Sequence, residues 1–153
     1  PATSPAPPAR PSADDIALAE RALAVDPKNV AALVHLGNLL YDSARWSEAL
    51  GYHGPAIAAG PPDPNVLTDA GICCRELKQY ERALELFAAA QKADPSHWQS
   101  LYNTVIVAGL DLRRFDVVDD ALLKLGRLDP APPGLDRLRQ DVARVKAAAG
   151  KVS

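Results

Sequence analysis

The sequence predicts an all-α fold, a superhelix of antiparallel helix pairs, and three observations predict it. The first is internal repetition. Leu33, Leu67 and Leu101 lie 34 and 34 residues apart, and Gly37, Gly71 and Val105 follow the same steps. Trp46, Tyr80 and Phe115 are spaced by 34 and 35, as are Ala49, Ala83 and Val118. The second is punctuation: Pro27, Pro61, Pro95 and Pro130 recur at 34, 34 and 35, and a residue before proline is pushed out of the helical region. The third is helical amphipathicity, as in Ala83, Leu84, Phe87 and Ala90 set among Glu81, Arg82, Glu85 and Gln91. A period of this length holds two helices of roughly 14 residues and two short turns, and leaves no alternating strand pattern. Seven or eight helices and no sheet are expected.

The elements follow in chain order. Residues 1–11 contain five prolines among Ala, Ser and Thr, a composition of extended linker. Ser12 can cap a helix through Ile16, Leu18, Ala22 and Leu23 to Asp26-Pro27, a half-repeat at 12–28 that aligns with the second helix of a pair. Full repeats span 29–62, 63–96 and 97–131. In the first, Gly51, Gly54 and Pro55 lie inside the second helix, and an interior proline removes a hydrogen bond, so a kink is expected. In the third, the step of 35 places an extra residue near Arg113 and Arg114, and bulky Val105, Val118 and Leu125 should hold its helices further apart. After Ala-Pro-Pro-Gly, a helix at 134–149 turns Leu135, Leu138, Val142 and Val145 to one face and Asp136, Arg139, Asp141 and Lys146 to the other. Such a one-sided helix caps the exposed end of a stack.

Spacing and residue type together resemble the tetratricopeptide repeat (TPR) family. The matches are Leu33, Leu36, Gly37, Leu40, Trp46, Ala49, Ala56 and Pro61 in the first repeat, and Leu67, Gly71, Tyr80, Ala83, Phe87, Ala90 and Pro95 in the second. The resemblance covers residues 13–130 and implies a TPR-type superhelix. Small residues at Gly37, Gly71, Ala49 and Ala83 agree with it physically, since they let paired backbones approach closely.

Function classes are narrowed by composition. With 48% hydrophobic and 24% charged residues in 153, the chain has the make-up of one globular domain. A net charge of -2 offers no footprint for nucleic acid, and no apolar run approaches a membrane span or a signal peptide. A soluble segment without direct membrane insertion is expected. The opening on Pro1 and the absence of Met suggest a fragment of a longer chain. An enzyme is not expected, and neither cofactor nor metal. His35, His53 and His97 lack metal-ligand spacing and have ordinary places in a helix pair. Adjacent Cys73 and Cys74 point about 100° apart on a helix, poorly placed to bond each other, and read as small core residues. The glycines form no phosphate loop.

The resemblance implies a binding surface, because the family takes peptides on the concave face lined by the first helix of each pair. Transferred position by position, this face comprises Ala31, Val34, His35, Asn38, Tyr41 and Asp42; Asn65, Thr68, Asp69, Ile72, Arg75 and Glu76; and Gln99, Tyr102, Asn103, Ile106, Gly109 and Leu110. His35, Asn38, Tyr41, Asp42, Asp69, Ile72, Arg75, Glu76, Tyr102, Asn103 and Ile106 are the candidate partner-binding residues. Family members that clamp acidic chaperone tails carry cations where this chain has Val34, Gln99 and Asn103, so that ligand is not expected. The expected function is a non-catalytic adaptor binding a peptide or helical segment of a protein partner in a bacterial assembly or biogenesis complex. By analogy with TPR proteins of cytochrome maturation, its parent would be membrane-tethered. The alternative is a scaffold that self-associates weakly through an edge helix.

Overall fold

The computed structural model describes residues 11–61 and 63–151, which contain eight α-helices and no strand. They are α1 (Ala13–Val25), α2 (Val30–Asp42), α3 (Trp46–Ala59), α4 (Pro64–Glu76), α5 (Tyr80–Ala93), α6 (Trp98–Val105, continued by a π-helical turn at Ile106–Asp111), α7 (Phe115–Gly126) and α8 (Leu135–Gly150). All but one residue of the linker expected at 1–11 lies outside the described residues.

Local chemistry sets the helix starts. Ser12 and Asp15 form a capping box on α1, the Asp15 amide donating to Ser12 Oγ at 3.2 Å and the Ser12 amide to Asp15 Oδ2 at 2.9 Å. Asn29, Asp63 and His97 occupy one column at the repeat period and cap α2, α4 and α6 through a side-chain acceptor.

Packing follows the pairs α2/α3, α4/α5 and α6/α7, each stacked on the next. Close approach depends on glycine. A Cβ built on Gly71 would meet Phe87 Cε1 at 2.4 Å, and one on Gly37 would meet His53 Cδ2 at 2.2 Å. Burial is continuous along the stack. Leu33, Leu36 and Leu40 pack with Ala49 and Ala56, then Cys74, Ala83, Phe87 and Val107 cluster, then Leu101, Val105, Val118 and Leu125 join the cap helix. Leu135, Leu138 and Val142 are buried there, so α8 hides the end of the stack as expected.

Cys73 and Cys74 are both buried free thiols, and they enter different clusters, as their divergent directions on one helix require. Burial raises both, Cys73 to about 12. Since only the thiolate reacts, labelling by a maleimide under native conditions is expected to be slow for both and fast after denaturation. Rapid native labelling would contradict this packing.

One expectation is corrected. The extra residue of the third repeat is not in the turn near Arg113 and Arg114. Ala44, Lys78 and Arg113 each stand two residues before the aromatic that opens the next helix, with φ of 57°, 59° and 58°, so the three turns are alike. The insertion is absorbed upstream, in the π turn at Ile106–Asp111. Gly109 is thereby rotated out of the binding row into the core, where an added Cβ would lie 3.0 Å from Val118 Cγ2. Pro55 lies inside α3, which is helical from Trp46 to Ala59. The carbonyl deprived of its donor belongs to Gly51, an exposed residue open to water.

Candidate functional site

The inner face of the stack is identified by packing. Successive first helices, α2 with α4 and α4 with α6, touch one another, whereas successive second helices do not pack to a comparable extent. Between α5 and α7 the outer surface opens into a cleft of about 400 Å³ floored by Leu84 and Ala121. A row that is close on one side and splayed on the other curves, and α2, α4 and α6 line its concave side.

Several candidate residues meet there. Tyr41, near the end of α2, packs edge-on against Trp46 with ring centroids 5.4 Å apart. Burial and the negative charges of Asp69, Asp42 and Glu76 push its phenol up to about 12. Asp69 on α4 is half-buried and raised to about 6, by burial first and then by Asp42 and Asp63. Tyr41, Asp42, Asp69 and Glu76 therefore share one acidic stretch of groove. Ile72 is half-buried over the cluster of Cys74, Phe87 and Val107. Tyr102 stacks edge-on against Trp98 at 6.1 Å, and Ile106 is half-buried beside it in the third repeat.

Other candidates are engaged within the chain. Arg75 Nε donates to Asp111 Oδ2 at 2.7 Å, and Glu76 lies 3.7 Å from the same guanidinium. The hydrogen bond to Asp111 holds Arg75 above its ordinary range, so it stays charged and satisfied. Asn103 Nδ2 donates to the Gln99 carbonyl at 2.8 Å, leaving its Oδ1 for a ligand. Asn38 Oδ1 lies 3.0 Å from His53 Nε2 and accepts from it, so only the Asn38 amide group remains for a partner. His35 is exposed and close enough to Asp15 of α1 to be felt by its carboxylate, at the edge of the row.

Asp111 and His53 were not among the candidates. Asp111 was missed because the insertion in the π turn shifts the third-repeat register by one, making Leu110 and Asp111, not Gly109 and Leu110, the counterparts of Arg75 and Glu76. His53 acts through Asn38. It is completely buried, its Nδ1 has no partner, and burial lowers its pKa, so the ring is neutral. Asn38→Ala would leave Nε2–H unpaired as well, at a cost of about 1–3 kcal/mol. Thermal unfolding of the variant is expected to show that loss, and no loss would contradict the bond.

No protein-family model and no curated protein matches the sequence. Solved structures do. A crystal structure of MamA protein superposes with a TM-score of 0.79 at 18% identity, over 88% of this chain and 72% of that one. A tetratricopeptide repeat protein from Parabacteroides merdae gives 0.78 at 17%, over 87% and 53%. The fold is that of the tetratricopeptide repeat. PcrH, solved in complex with the chaperone binding region of PopB, shares this TPR fold with a TM-score of 0.64 at 19% identity, over 76% of this chain and 93% of PcrH. Among the described residues of the TPR stack, no group of three His, Cys, Asp or Glu side chains could hold a metal ion, and no helix is long and apolar enough to cross a membrane.

The acidic stretch has a stability consequence. The folded pKa of Asp69 lies above its ordinary value of 3.8, so the folded state binds the proton more tightly than the unfolded chain. The benefit of protonation is complete below 3.8 and is lost as pH rises through about 6. Asp69→Asn is therefore expected to raise the melting temperature at pH 7.5, with a gain that shrinks steadily as pH falls from 6 towards 4. A gain independent of pH would contradict the assignment.

Proposed function

We propose that the chain is a non-catalytic binding module that holds an extended or helical segment of a partner protein along the concave face of α2, α4 and α6. The observation that carries this reading is the contact between successive first helices, which brings Tyr41, Asp42, Asp69, Ile72, Tyr102 and Ile106 onto one surface. That surface mixes half-buried apolar side chains with polar groups, the composition of a recognition face. The complex of PcrH with a segment of PopB supports a similar mode here. An adaptor role in a bacterial assembly complex, in a membrane-tethered parent, is the fuller form of the proposal.

A second reading is favoured by one observation. Leu18 and Val25 on α1 are 67% and 88% exposed, on the edge helix of the stack, a surface suited to self-association. A concentration series by light scattering separates the readings. The adaptor reading expects a constant monomer mass and the scaffold reading a mass that rises with concentration and is suppressed by Leu18→Glu.

A further inference from the structure

Where the first half of α2, the end of α3 and the start of α4 meet, Val30, Val34, Ala56, Ile57 and Val66 enclose an apolar recess of about 150 Å³. An apolar cavity of about that size accepts a benzene-sized guest. Asp63 stands at its rim. Val34 lies on α2 one turn before Asn38, and Val66 on α4 three residues before Asp69, so the recess adjoins the acidic stretch of the groove.

The charges beside it are uncompensated. Among the described residues, Asp42, Asp63 and Asp69 form no ion pair. Asp63 uses one oxygen to cap α4, accepting from the Asn65 amide at 2.8 Å. Arg75, the cation of this inner face, is neutralised by Asp111 and Glu76. Asp63 before the start of α4, Asp69 in the middle of α4 and Asp42 at the end of the parallel α2 are thus strung along one seam, with Asp69 between the other two, and the seam begins at the apolar recess. Like charges held together cost free energy unless a cation comes between them.

We propose that this seam takes an extended basic segment of a partner, with an aliphatic side chain entering the recess between Val34 and Val66 and Lys or Arg side chains following it along Asp63, Asp69 and Asp42. The inference rests on the groove reading above and narrows its ligand to one charge class. An acidic segment is excluded by repulsion, and a segment basic but without an aliphatic residue leaves the recess unfilled. The pairing of an apolar anchor with a charge-assisted contact fixes both direction and register of the bound segment.

The probe is a phage-displayed library of random dodecapeptides selected on the whole chain. Selected peptides are expected to share a Lys or Arg near a Leu, Ile or Val. A synthetic representative should bind at least about tenfold more weakly to the double variant Asp42→Asn/Asp69→Asn, and likewise to Val34→Asp, with helicity by circular dichroism retained. Peptides lacking a basic residue, yet losing affinity on Ile72→Arg, would overturn this inference and leave the groove reading standing. Peptides indifferent to Ile72→Arg would overturn both. A library that yields no binder also overturns the inference.

Discussion

Phe87→Ala is expected to lower the free energy of unfolding by about 3–5 kcal/mol, the largest effect of any single truncation in the chain. Phe87 has no exposed surface and fills the space that Gly71 leaves open between α4 and α5. Removal of the ring leaves a cavity bounded by helices whose spacing is set by other contacts, so the site cannot collapse around alanine. Because stability in repeat proteins is a sum of repeat and neighbour terms, the loss falls on the central repeat and loosens both of its neighbours. Urea unfolding followed by circular dichroism measures it. Leu123→Ala, at a residue 54% exposed, is the matched comparison and should be close to neutral. Equal losses at the two positions would contradict the packing described.

The second large effect concerns binding. Ile72→Arg is expected to reduce partner affinity by about a hundredfold or more, because it sets an unpaired charge in the middle of the groove against an apolar ligand contact. Folding should survive, since Ile72 is only half-buried and the aliphatic stem of arginine can cover the same surface while its head reaches water. Tyr102→Ala in the neighbouring repeat should weaken the same ligand, having lost apolar contact on the same face. Asn38→Ala is a poor probe of the groove, because its effect includes the loss of the His53 bond. Glu85→Ala, on an exposed position of α5, is the control and should leave affinity unchanged.

The repeat frame was legible because its signals are local and recur. Proline stops, the Leu33 and Gly37 columns and the aromatic at Trp46, Tyr80 and Phe115 each report a position in the pair, and the helices fall where they indicate. The step from 34 to 35 was legible too, but its location was not. A spare residue fits a turn or a π-helical turn equally well by count, and only the shared left-handed φ at Ala44, Lys78 and Arg113 distinguishes them. The candidate site was readable as a row of positions and not as a set of bonds. Whether Arg75 meets Glu76, Asp111 or a ligand depends on how α4 stacks on α6, a distance that no repeat column encodes. The recess between Val34 and Val66 is likewise a property of three helix ends meeting, and each of its residues read singly is an ordinary core aliphatic.

The central claim is that the partner lies along the inner face, and site-specific photo-crosslinking tests it most directly. A benzophenone side chain placed singly at His35, Asp42, Asp69 or Tyr102 is expected to capture the partner, whereas the same group at Glu48, Glu85 or Val117 on the second helices is not. Crosslinks confined to Glu48, Glu85 or Val117, with none from the inner row, would contradict the account.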